Sequence, residues 1–158
     1  MPSPQQIAAV LKQEHALRLR HCQILEAQGR ALLACDRPRF VALEAEHADL
    51  LVLLDAQKAA RQDVLVDDAG HPQTLTFLME AMPESARPRR TLEGLRTALL
   101  EAADRAQTLA RRNEMLIQNE LNYLAFALDL FVEAGRTASS GYGGRALIGG
   151  RLGLDRRA

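Results

Sequence analysis

The sequence predicts an all-α protein, built as an antiparallel helical hairpin that is followed by a long C-terminal helix and a flexible Gly-rich tail. Three observations support this prediction. Apolar residues recur at three- and four-residue spacing, which is the period of an amphipathic helix. Pro residues fall at candidate helix starts and between candidate helices. Aromatic residues make up only 4% of the chain and Trp is missing, a composition typical of long packed helices rather than of a sheet.

The first predicted helix covers residues 4–34. Its start has the sequence of a capping box, with Ser3 at the cap, Pro4 at the first helical position and Gln6 at the third. An apolar line then repeats every seven residues, as in the seam of a bundle or coiled coil: Val10, Leu17, Ile24 and Ala31. Polar residues lie beside this seam: Glu14, His21 and Gln28. We therefore expect this helix to need more than one neighbour.

The second predicted helix covers residues 37–66, with Asp36 as its cap. Only a short break separates it from the first helix, which predicts an antiparallel hairpin. The turn-forming segment 67–72 ends it. Residues 74–82 form a short apolar helix at most, and residues 84–90 are predicted to be a linker.

The long helix is predicted to cover residues 90–134, with Gly135 as its C-terminal cap. From Met115 to Val132, 13 of 18 residues are apolar, and they follow two lines that are on average about 120° apart. One line contains Leu116, Tyr123 and Leu130, and the other contains Ile117, Leu121, Leu124 and Leu128. We expect one line to pack on the chain's own core and the other to be left for a partner. The alternative is a helix at the centre of a bundle that covers both lines.

The chain is expected to divide into a helical bundle domain, residues 1–134, and a tail, residues 135–158. The tail contains seven Gly residues and five Arg residues against one Asp, which gives it a local charge of about +4 at ordinary pKa values. Its few large apolar side chains cannot offset the backbone entropy of folding. We therefore predict a basic tail that is flexible in isolation.

Composition also limits the partners and the compartment. A formal net charge of zero removes the usual electrostatic argument for nucleic acid or an anionic membrane. The densest apolar run contains Asn122 and Asp129 and is shorter than the ~20 residues of a membrane span. Cys22 and Cys35 form neither a disulfide framework nor a CxxC pair. Because the N-terminus also lacks the pattern of a secretion signal, we expect a cytoplasmic protein.

The spacing of reactive residues gives little support to catalysis or metal binding. Glu44 and His47 have the spacing of a di-iron ligand pair, but such a site needs a second pair and two further carboxylates. A zinc site built from His21, Cys22, Cys35 and His47 would follow no known ligand spacing. The four His residues are too scattered to suggest a nucleophile with its base. We expect no enzyme activity, no cofactor and no metal site.

The segment Asn113-Glu114-Met115-Leu116-Ile117 resembles the Asn-Gly-x-Leu-Ile segment of the FlgN family, cytoplasmic chaperones of flagellar hook-associated proteins. Glu114 stands where this family often has Gly. The resemblance extends to Tyr142-Gly143-Gly144 in the tail. It also includes Glu14-His15-Ala16-Leu17 and the stretch 50–61 in the hairpin.

This resemblance implies binding of the terminal helical segments of hook–filament junction proteins before their type III export, without catalysis. An apolar helix with spare surface suits that role, because helix-in-groove capture requires such a face. The expected partner-binding residues are Asn113, Leu116, Ile117, Leu121, Leu124 and Leu128. Asn113 has an alternative interpretation, as a polar residue that fixes the register between helices. The family further implies that Tyr142 docks to an export-gate component.

Two other classes of function stay open from the residues alone. A scaffolding coiled-coil protein would use the apolar seam only to oligomerise, and a homo-oligomer is compatible with this class and with a chaperone. A ferritin-like enzyme is the third class. Binding of a terminal-helix peptide would separate the first two classes, and metal analysis would test the third.

Overall fold

The computed structural model describes residues 3–67 and 70–154, with side chains as far as Thr137. Its helices are α1 (Pro4–Leu33), α2 (Arg37–Val64), α3 (Leu75–Glu80) and α4 (Arg87–Leu154). The described residues contain no strand apart from an isolated β-bridge between Val66 and Pro72, so the all-α prediction is confirmed. The chain divides into a first unit, Met1–Leu116, and a second unit, Ile117–Ala158, and α4 contributes residues to both.

The helix starts follow the predicted capping chemistry. At α1, the Gln6 backbone N–H donates to Ser3 Oγ, and the Gln6 side chain accepts from the Ser3 backbone N–H, which completes the capping box. At α2, the Arg39 backbone N–H donates to Asp36 Oδ1 over 3.0 Å. Cys35 in the connecting turn has a φ of 54°, in the left-handed region that lets the chain reverse direction. Local sequence therefore determines where α1 and α2 begin.

The hairpin of α1 and α2 is antiparallel, and polar pairs follow its length. The residue numbers of the two partners change in opposite directions along these pairs: Gln28–Glu44, His21–His47 and Glu14–Arg61. The three α1 members are the polar residues that lie beside the predicted seam. Each has a hydrogen-bonding partner on α2, which explains how Glu14 and Gln28 can be buried at 2% exposure.

Helix α1 is the centre of the first unit because it packs on two sides. Toward α2, its Ile24 and Leu17 contact Leu50 and Leu54. Toward the first half of α4, Cys22 and Leu25 contact Ala106 and Leu109. A third cluster joins α1 to α3 and to the start of α4: Ile7, Leu11, Leu78, Met79 and Leu92. The prediction that α1 needs more than one neighbour is confirmed.

The prediction that the long helix ends at Gly135 is wrong, because α4 continues to Leu154. A Gly cap adopts a positive φ, and among the described glycines only Gly70 does so. A single Gly inside a helix costs only about 1 kcal/mol relative to Ala, so it does not by itself stop a helix. The start also differs, since residues 87–90, predicted as linker, already belong to α4.

Candidate partner-binding site

Asn113 is the buried residue of the segment 113–117, and 6% of its surface is exposed. It lies in the first unit, where its Nδ2 donates to the backbone carbonyl of Leu25 on α1 over 2.8 Å. Its Oδ1 lies 2.7 Å from the position that a Cβ would take at Gly29. The amide group thus rests against the bare backbone of α1, and Gly29 is the residue that makes room for it.

This placement favours the alternative interpretation of Asn113. A buried amide with a backbone partner on the next helix fixes how two helices meet, because any other register would leave the amide unpaired. Asn113 therefore positions α4 against α1 and is not part of the exposed surface. Sequence reasoning missed Gly29; the available signal was a lone Gly within a helical pattern, which often marks close packing.

The four residues of the predicted partner-facing line are exposed, as expected. The exposed fractions are 37% for Ile117, 54% for Leu121, 43% for Leu124 and 64% for Leu128. All four belong to the second unit. Leu116, the last residue of the first unit, is half-buried. The alternative of a bundle that covers both apolar lines does not agree with these exposures.

After Leu116, which is half-buried, the second line is exposed as well, so the prediction that this line packs on the chain's own core is wrong for Tyr123 and Leu130. The exposed fraction is 72% for Tyr123 and 55% for Leu130. The described part of the second unit consists of α4 residues alone, and a single helix has no second element on which to bury its sides. Further large apolar side chains are exposed nearby: Phe126, Phe131 and Val132. We call residues 117–132 the apolar segment of α4.

The apolar segment has one polar edge. Gln118 Nε2 donates to Asn122 Oδ1 over 3.0 Å, four residues further along α4. Asp129 continues the same edge. Exposed apolar surface of this extent, bordered by polar residues, is typical of a protein–protein interaction site.

Tyr142, the predicted export-gate residue, lies in the stretch of α4 for which only the helical backbone is described. Its side chain therefore lies outside the described residues. None of the helices, within the described residues, is long and apolar enough to cross a membrane.

The residues considered for metal binding are distributed over separate contacts. His21 and His47 stack across the α1–α2 contact with their Nε2 atoms 2.9 Å apart. Burial lowers the pKa of His21, and the nearby His47 and Arg18 add to this effect. Glu44 instead accepts a hydrogen bond from Gln28, and Cys22 Sγ donates to the Ala102 carbonyl of α4. No group of three His, Cys, Asp or Glu side chains suited to hold a metal ion occurs in the described residues.

Comparisons with known proteins agree with the resemblance noted in the sequence. Residues 1–147 match the family described as FlgN protein, and this match covers nearly all of the 158 residues. No curated protein and no solved structure matches the chain significantly. The matched region includes all of the first unit and the whole apolar segment of α4. This chain therefore belongs to the FlgN family, a family of flagellar export chaperones.

Proposed function

We propose that this protein captures the terminal amphipathic helices of flagellar hook-associated proteins in the cytoplasm, before their type III export, on the apolar segment of α4. The observation that supports the proposal is the exposure of nine large apolar side chains between Ile117 and Val132. A helix that is apolar over most of its circumference and uncovered needs a partner. Helix-in-groove capture is the recognition mode that such a face serves best.

The proposed cargo face is the line of Ile117, Leu121, Leu124 and Leu128. Fully burying a Leu side chain contributes about 1.5–3 kcal/mol, and these residues are already partly covered, so each can contribute about half of that. Leu116, also an expected partner-binding residue, is half-buried and belongs to the other apolar line, so it lies beside this face rather than on it. Asn113 supports cargo binding indirectly, by holding the preceding part of α4 against α1.

The test is the double substitution Leu121→Asp with Leu128→Asp. Loss of two contacts, each worth about 0.8–1.5 kcal/mol, should weaken binding of a hook-associated protein's terminal-helix peptide by about 10- to 150-fold. The matched control is Leu53→Asp with Leu100→Asp, two Leu residues of similar exposure, 53% and 56%, in the first unit. The control should bind within about twofold of the original protein.

Far-UV circular dichroism and size-exclusion chromatography complete the test. Helicity should be nearly unchanged in both double variants because all four positions are exposed. Collapse of the helicity in the Leu121/Leu128 variant would assign that line to the core and contradict the proposal. A concentration-dependent oligomer that the same variant abolishes, with no peptide binding by the original protein, would favour the scaffolding alternative.

We further propose a division of labour between the bundle, residues 1–134, and the tail, residues 135–158. In this division the apolar segment holds the cargo and Tyr142 docks to the export gate. Tyr is a common anchor because it gives a large contact area with few rotatable bonds. Tyr142→Ala should leave cargo binding within about twofold, under ~0.5 kcal/mol, while motility falls in cells. Loss of cargo binding comparable to that of the helix variants would place the tail in the cargo site.

A further inference from the structure

The apolar segment of α4 carries charge of only one sign. The carboxylates of residues 117–132 are Glu120 and Asp129, and this stretch contains no Lys and no Arg. Asp129 is exposed, and Glu120 is half-buried. The nearest basic residues in the sequence, Arg112 and Arg136, lie outside the segment. Any helix that docks here therefore meets apolar side chains and negative charge together.

The carboxylates lie on both sides of the cargo face. At about 100° per residue, Glu120 is about 70° from the mean direction of that face, and Asp129 is about 110° away on the other side. Interaxial distances between packed helices are about 8–10 Å, which places the residues that flank a partner's apolar stripe near these carboxylates.

We propose that the cargo helix carries Lys or Arg residues on both sides of its apolar stripe; this inference rests on the proposed function and names the chemistry of its partner. Apolar burial provides the affinity, and the carboxylates select among amphipathic helices by the charge of their flanks. Opposite charges at the edge of an interface accelerate association and fix the orientation, and like charges disfavour the wrong partner. An acidic amphipathic helix with the same stripe is thus discriminated against.

The experiment uses the full chain and three designed helical peptides with one common Leu/Phe stripe. Their flanking positions carry Lys, Gln or Glu, and the terminal-helix peptide of a hook-associated protein is the positive control. Fluorescence anisotropy should show about fivefold tighter binding of the Lys peptide than of the Gln peptide, and weaker binding of the Glu peptide. These differences should shrink between about 50 mM and 500 mM salt, because salt screens charges at an exposed rim.

A charge reversal identifies the residues responsible. Glu120→Lys with Asp129→Lys should make the Glu peptide the tighter ligand. Glu46→Lys with Asp49→Lys on α2 changes the net charge equally, at exposed positions outside the segment, and should keep the preference for Lys. Circular dichroism confirms that both variants remain helical.

The outcomes separate this inference from the proposed function. Equal affinities for the three peptides, or a preference that the α2 control also reverses, would overturn the inference while cargo capture stands. Failure of the terminal-helix peptide to bind would remove the proposed function and the inference with it. Self-association that displaces the Lys peptide would also overturn the inference, because the segment would then take a second copy of this chain.

Discussion

Replacing Gly29 by Ala tests the contact on which the α1–α4 arrangement depends. Inside a helix, Gly→Ala ordinarily stabilises by about 0.5–1 kcal/mol, because Ala loses less backbone entropy on folding. At Gly29 the new Cβ would lie 2.7 Å from Asn113 Oδ1, closer than such atoms come in practice. The Asn113 amide must therefore move, and its 2.8 Å hydrogen bond to the Leu25 carbonyl is lost.

The magnitude follows from two opposing terms. A buried polar group left without its partner costs about 1–3 kcal/mol, and Asn113 is 6% exposed. Set against the gain from helix propensity, the net effect of Gly29→Ala is a loss of up to about 2 kcal/mol in the free energy of unfolding. The matched control is Gly94→Ala on α4, where no atom lies within 4 Å of the new Cβ. That variant should gain about 0.5–1 kcal/mol.

The assay is urea unfolding followed by circular dichroism, with a double-mutant cycle. In the Asn113→Ala background the obstacle to a Cβ at Gly29 is gone, so Gly29→Ala should become stabilising, like Gly94→Ala. If Gly29→Ala stabilises the original protein as much as Gly94→Ala does, the amide does not rest on this backbone. The assigned role of Asn113 would then be wrong.

Three further predictions concern the first unit. Arg61→Gln should lower the free energy of unfolding, measured in urea, by about 1–3 kcal/mol. The reason is that Arg61 Nη1 donates hydrogen bonds of 2.9 Å to both oxygens of the buried Glu14 carboxylate. An unchanged unfolding midpoint would mean that this ion pair adds no measurable stability. The lowered pKa of His21 means that this side chain binds a proton more readily in the unfolded chain than in the folded one. The free energy of unfolding should therefore fall as pH drops through 6.5. His21→Gln should flatten this dependence in thermal melts at several pH values. A dependence that survives the substitution would point to another group. Ser3→Ala removes the capping box and should cost about 1 kcal/mol of thermal or urea stability, whereas a neutral result would show that the start of α1 frays.

The sequence by itself determined the helices and most of their ends. Ser3 and Asp36 cap the helices that they were predicted to cap, because a capping hydrogen bond involves only residues three positions apart. The apolar lines of α4 could also be placed, since the helical period fixes which side chains share a face. Gly135 shows the limit of local rules, because a Gly permits a helix to end without requiring it.

Only the tertiary structure decided what each face meets. The pattern located Glu14, His21 and Gln28 beside a seam, but their partners are 16 to 47 positions away, on another helix. Asn113 likewise depends on Gly29, to which no local signal connects it. The helical period gives the direction of a side chain around its own axis and carries no information about which helix lies opposite. That choice depends on how all the helices pack together, and it left the apolar segment of α4 exposed.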